Sequence, residues 1–180
     1  MKRVRAGGGT SLSPRATGGQ GTRERRLWAP WRMSYIRGPK TPGCIFCFDR
    51  KEDDERLVLR RERRAFVMLN KYPYTGGHVM VVPARHVSRP QDLSPADFAA
   101  LGDLLCRTVA ALERALAPHG LNVGMNLGRV AGAGVEDHIH FHVVPRWNGD
   151  HNFMPVLGGA RVINEYLEDT ARHLRPFFDW

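Results

Sequence analysis

The chain has 180 residues, 42% of them hydrophobic and 25% charged, the make-up of a soluble globular domain with a terminal appendage. Its 27 Lys and Arg outweigh 18 Asp and Glu, giving a net charge of +9 of the kind found where nucleic acid or an anionic membrane is bound. No apolar run approaches the roughly 18 residues of a membrane span, and three cysteines do not make a disulfide framework in a chain of this size; a cytoplasmic protein without membrane contact is expected.

Most of the charge lies at the front. Residues 1–26 hold seven basic residues against the single Glu24, a net +6, and leave +3 for the rest. The segment is Gly-rich and has no aromatic residue. It cannot bury enough apolar surface to offset the entropy of ordering, so a disordered basic tail is expected. No apolar run follows the charges, which excludes a secretory signal. A transit peptide is the other reading, and six glycines argue against the amphipathic helix it needs.

A domain is expected over 27–180. It begins with LWAPWRMSYI, whose Trp28, Trp31 and Tyr35 are suited to anchoring a segment onto a core or a partner subunit. The turn-rich GPKTPG then leads to Cys44-Ile-Phe-Cys47. Short apolar runs at Leu57–Leu59 and Ala65–Leu69, split by the charged Arg60–Arg64, predict two strands of a hairpin. A turn cluster, Tyr72-Pro-Tyr-Thr-Gly-Gly77, precedes a predicted strand at His78–Val82, closed by Pro83.

Ser94, Pro95 and Asp97 mark a helix start. Phe98, Leu101, Leu105, Leu112 and Leu116 supply its apolar face, and Gly120 its stop. Cys106 on this helix is expected to be a small buried residue. Strands are predicted at Leu121–Leu127 and His138–Val144, joined by a loop with Gly128, Gly132 and Gly134. A last helix is expected at about Val162–Leu174. Short turns between the early strands favour an α+β fold with an antiparallel sheet of about five strands, one long helix and a C-terminal helix.

The chemistry concentrates in Asp137-His-Ile-His-Phe-His-Val-Val144. Strand alternation puts His138, His140 and His142 on one face and Ile139, Phe141 and Val143 on the core side. Three readings follow: a solvated histidine face, a metal site, or nucleophilic catalysis by a neutral imidazole able to attack phosphorus and later leave.

His-x-His-x-His with apolar residues between resembles the signature of the histidine triad family of nucleotidyl hydrolases and transferases. The likeness extends to Leu69-Asn70-x-x-Pro73, to Gly77-His-Val-Met-Val-Val-Pro83, and to Asn126-x-Gly128 with the glycine loop. The aromatic lead-in, NKYPYTGGHVMVVP, HGLNVGMNLG and HVVPRWNGD are similar to the branch of bacterial diadenosine tetraphosphate phosphorylases.

The resemblance implies a HIT-like fold, and an enzyme in which His140 attacks an α-phosphate to form a nucleotidyl-histidine. It places His142 and His78 around the phosphates, His138 in the triad, and Asn70 near the ribose. Asn126 and the backbone from Gly132 to Gly134 would face the phosphates. The substrate would be a dinucleoside polyphosphate or another adenine nucleotide, with phosphate or water as second nucleophile and no organic cofactor. It also implies a homodimer sharing a continuous sheet, and a structural zinc on Cys44, Cys47, His86 and His138. His119, His151 and His173 have no such setting and are expected on the surface, although His151 follows PRWNGD and is a candidate to approach substrate.

One departure stands out. The loop before the triad, Ala131 to Asp137, lacks the Ser or Thr hydroxyl often found there. Either Glu136, Asp137 or a water assists proton transfer in its place, or the departure marks a slower enzyme or a different leaving group. Two other functions stay open on sequence alone. One is a nucleoside phosphoramidate or adenylyl hydrolase. The other is a zinc-stabilised nucleic-acid-binding module resting on the basic tail and the Cys pair.

Overall fold

The computed structural model describes residues 43–150 and 165–180. The basic segment 1–26, the aromatic lead-in and His151 lie outside the described residues. The described strands are β1 (Val58–Arg61), β2 (Ala65–Leu69), β3 (Val79–Pro83), β4 (Gly120–Met125) and β5 (Phe141–Arg146). They form one five-stranded sheet in the order β1-β2-β3-β5-β4. Every pairing is antiparallel, as the short connections predicted.

The sheet has two unlike faces because side chains alternate along each strand. Val67, Leu69, Val79, Val81, Ile139 and Val143 enter one core cluster. That face is covered by α1 (Pro95–Leu116) and α2 (Leu167–Leu174). The opposite face carries Val58, Phe66, Met68, Met80 and Val82, and Phe46 closes over it. Met80 pairs with His142 across β3 and β5, so the triad histidine lies on this second face.

Helix α1 starts as the sequence predicts, with the Ser94 Oγ accepting from the Asp97 N–H at 3.1 Å. Its buried face differs from the prediction. Leu101, Leu104, Thr108, Ala111 and Leu112 are buried, whereas Phe98 and Cys106 are exposed. The face that meets the sheet is rotated away from Cys106, so this thiol is not core. The stop also differs. Ala117 takes the left-handed conformation, with φ 43°, and Gly120 opens β4 instead.

Two strands shift against expectation. β5 begins at Phe141, because the Ile139 N–H leaves the ladder and donates to the Val87 carbonyl at 2.8 Å. His138 and His140 therefore precede the regular strand, yet Ile139, Phe141 and Val143 still turn to the core. β4 ends at Met125, ahead of the loop that opens at Gly128 with φ +81°. The last helix begins at Leu167, later than the expected start at about Val162, because Tyr166 at its N-cap is extended, with ψ 148°.

Candidate active site and metal centre

Two histidine groups meet along the second face of the sheet. The first joins Cys44, Cys47, His86 and His138, whose ligand atoms all lie within 4.8 Å of one another. Cys44 Sγ is 3.3 Å from His138 Nδ1, and Cys47 Sγ is 3.3 Å from His86 Nδ1. His138 Nε2–H donates to the Pro83 carbonyl at 2.9 Å. That bond puts the proton on Nε2 and turns the Nδ1 lone pair toward the sulfurs, the outer-shell arrangement common for metal-bound imidazole. Burial holds His138 down to about 4, which keeps the ring neutral. Burial and the adjacent Cys44 push the Cys47 thiol up to about 11, whereas a divalent cation there would stabilise the thiolate instead. Two sulfurs and two imidazoles at this spacing fit a closed tetrahedral site.

The second group joins His78, His140 and His142. His140 is 4% exposed, and its Nδ1–H donates to the His138 carbonyl at 3.0 Å. The lone pair is thereby placed on Nε2. Desolvation by burial lowers its pKa, only partly offset by that backbone bond, so the ring is neutral at pH 7. The Tyr74 N–H donates to His78 Nδ1 at 3.1 Å. His78 Nε2 is then a donor, and it lies 3.0 Å from His142 Nδ1. The chain of bonds puts the remaining proton of His142 on its Nε2.

The turn before β3 sets these rings. Gly77 has φ +74°, and a Cβ there would lie 2.4 Å from Leu116 Cδ1. Only glycine lets the turn pack under the end of α1 and deliver His78 into the sheet. Thr75 Oγ1–H bonds to the Pro145 carbonyl at 2.9 Å, tying the turn to β5.

The polar residues singled out in the sequence sit around this group. Asn70 Nδ2 is 3.5 Å from His78, and the Asn70 Oδ1 accepts from the Tyr72 N–H at 2.9 Å. Asn126 Nδ2 bonds to the Gly132 carbonyl at 3.5 Å, and Gly132 has φ +92°. Gly134 is exposed in the same loop, and Val135 packs on the cluster containing Phe46 and Met80. Glu136, a candidate proton donor, is instead paired with Arg129 at 2.8 Å. His119 and His173 are exposed, as expected.

Two participants escaped the sequence analysis. The Phe46 ring lies 5.4 Å from His138 edge-on and 4.9 Å from His140. Its position between the two cysteines was the available signal. Tyr74 stacks on His78 at 4.8 Å with 25° between the planes, and its only sequence signal was a place in the turn cluster.

Comparisons with known proteins agree with this geometry. The model of the HIT domain family matches residues 50–149. The chain is 41% identical over 166 residues to an AP-4-A phosphorylase from Mycobacterium tuberculosis, covering 87% of this chain and 85% of the relative. It is 32% identical over 109 residues to an adenosine 5'-monophosphoramidase of Schizosaccharomyces pombe, covering 61% and 79%. Among solved structures, a zinc-bound histidine triad family protein from Mycobacterium smegmatis superposes with TM-score 0.61 at 29% identity, covering 75% of this chain and 92% of that one. The family match over most of the described sheet, together with the histidines that sheet brings together, means that the chain belongs to the HIT domain family.

Proposed function

We propose that the protein cleaves dinucleoside polyphosphates of the diadenosine tetraphosphate type by double displacement at His140. The observation that carries this reading is the His140 tautomer. Its Nδ1–H is engaged by the His138 carbonyl and its Nε2 bears the lone pair. In the first step Nε2 forms a bond to the α-phosphorus while the bond from phosphorus to the bridging oxygen breaks. The remaining nucleotide leaves, and a nucleotidyl-histidine results. In the second step phosphate or water attacks the same phosphorus and the P–N bond breaks, restoring the imidazole.

The other residues have roles that suit this path. The Nε2–H of His142, set by His78 and Tyr74, would donate to a phosphate oxygen. Asn70, beside His78, would bind a ribose hydroxyl, and the backbone of Gly132 and Gly134 would receive developing negative charge. The loop without a hydroxyl also favours this substrate class. A polyphosphate leaves as a stable anion without an acid, whereas an amine leaving from phosphorus needs a proton. The monophosphoramidase relative keeps phosphoramidate hydrolysis as the second reading.

We infer that the Cys44, Cys47, His86 and His138 cluster holds a structural zinc. The donor set and the likeness to a zinc-bound relative support this. The metal would fasten the segment carrying Phe46 to His138, two residues before the nucleophile. Free cysteines at 44 and 47 suit a cytoplasmic setting, where thiols stay reduced. We also infer a homodimer, formed where β4 ends the sheet and Val123 and Leu127 stand half exposed.

The test is product analysis of diadenosine tetraphosphate incubated with and without phosphate. ADP plus ATP formed only with phosphate establishes phosphorolysis; AMP plus ATP establishes hydrolysis. Faster turnover of an AMP–amine substrate than of the dinucleotide would replace the first reading with the second. No cleavage of either by the metal-loaded protein would defeat both.

A further inference from the structure

The pairing of His78 with His142 depends on how the His78 ring is turned. That ring is fully buried, and its two nitrogens face different partners. Nδ1 accepts from the Tyr74 N–H at 3.1 Å, and Nε2–H meets His142 Nδ1 at 3.0 Å. The torsion about the Cβ–Cγ bond of an imidazole is broad and roughly two-fold. A half turn puts carbon atoms where the nitrogens stand. It breaks both bonds and frees the proton of His142 to move to Nδ1.

The two hydrogen bonds hold the ring only while nothing else competes for its nitrogens. Asn70 does not distinguish the orientations, because its Nδ2 is 3.5 Å from both nitrogens of His78. The Tyr74 ring supplies the restraint. It stacks on His78 with centroids 4.8 Å apart and 25° between the planes. At that distance the phenol opposes any tilt out of the plane of the two bonds. It also covers a face from which water would otherwise offer substitute hydrogen bonds. The same ring lies 6.0 Å from His142, tilted by 41°, so one side chain borders both members of the pair.

The phenol is carried by a well-fastened turn. Pro73 precedes it with its φ fixed by the pyrrolidine ring. The Thr75 Oγ1–H holds the turn to the Pro145 carbonyl at 2.9 Å. The His78 N–H donates to the Thr75 carbonyl at 3.3 Å, and the Asn70 N–H closes on the His78 carbonyl at 3.0 Å. Tyr74 is half-buried, so its ring forms a wall of the cleft and not part of the core beneath.

We propose that Tyr74 is a positioning residue for the cleavage. Its ring fixes the plane of His78, and His78 in turn keeps the proton of His142 on Nε2. The role rests on the donation from His142 to phosphate proposed for the reaction. That donation strengthens as negative charge develops, so loss of the ring acts on kcat rather than on KM.

The experiment is long-range ¹H–¹⁵N NMR of the histidine side chains in the full-length, metal-loaded protein at about pH 8, above the ordinary range of imidazole. In the wild type His78 and His142 are each expected as a single tautomer protonated on Nε2. Tyr74→Leu and Tyr74→Gln both remove the ring, so that a folding failure of one leaves the other. Each should show mixed tautomers at the two histidines. Their kcat for the dinucleotide should fall about two- to tenfold, the strength of one aromatic pair, at unchanged KM. Tyr74→Phe keeps the face and should rescue both readouts. Single Nε2 tautomers in the ringless variants would overturn the proposal. So would a Tyr74→Phe defect as large as that of Tyr74→Leu, which would assign the effect to the hydroxyl. A raised KM at constant kcat would overturn it too, by making Tyr74 a substrate contact. A wild type that cleaves no dinucleotide defeats the proposed reaction, and the tautomer spectra then decide the role of Tyr74 on their own.

Discussion

Gly77→Ala tests how the turn before β3 positions the site. The native φ of +74° is left-handed, which costs a residue bearing Cβ about 1–2 kcal/mol. The added methyl would also lie 2.4 Å from Leu116 Cδ1. That atom ends a side chain able to rotate, so relief costs about 0.5–1.5 kcal/mol, the scale of an off-rotamer side chain. The expected destabilisation is about 1.5–3.5 kcal/mol, measured by urea unfolding of wild type and variant under identical metal loading. A second variant separates the two contributions. In the background of Leu116→Ala the contact is gone, so Gly77→Ala should cost only the backbone share, about 1–2 kcal/mol. A Gly77→Ala cost below about 0.5 kcal/mol would refute the reasoning, because the turn would then tolerate a side chain. Equal costs in both backgrounds would refute the Leu116 contact while leaving the backbone argument intact.

Cys47→Ser should lower bound zinc, read by elemental analysis, and shift thermal unfolding downward while the sheet persists in circular dichroism; unchanged zinc content would contradict the proposed ligand set. The metal-free protein should lose stability as pH falls from about 6.5 to about 4. His138 must take up a proton that the buried ring resists, so the unfolded chain binds more protons in that window. The displacement from 6.5 to about 4 corresponds to about 3 kcal/mol, and denaturant melts of the chelated protein that stay flat across this range would count against it. The lowered carboxyls of Asp97 and Glu62 act in the same direction, their contribution disappearing at still lower pH as they protonate. Val123→Lys on the β4 edge should convert a dimer to a monomer in light scattering, whereas a dimer that survives it would place the interface elsewhere.

Much of the architecture was legible in the sequence because alternation is a local property. The apolar run Ala65–Leu69 declared a strand, and the alternating histidines declared their face before any partner was known. The Ser94 cap and Pro95 declared the start of α1 in the same way. What failed were positions decided by distant neighbours. Cys106 sits on a helical pattern that reads as apolar, yet the sheet meets the face centred on Leu101, Leu104 and Thr108. β5 begins after His140 because Val87, far away in the chain, takes the Ile139 N–H.

The +9 charge divides along the same line. The sequence alone assigns most of it to the first 26 residues and leaves +3 to the remainder. Only tertiary structure shows that many arginines of the folded part face carboxylates, among them Arg61 with Asp53 and Arg146 with Asp150. The histidine motif, through its resemblance to the histidine triad family, likewise pointed to phosphorus chemistry. Which nitrogen of each ring carries the proton was decided by the carbonyls of His138 and Pro83 and the amide of Tyr74. A tautomer is fixed by the partner that folding places against the ring, and a sequence motif names the ring without naming that partner.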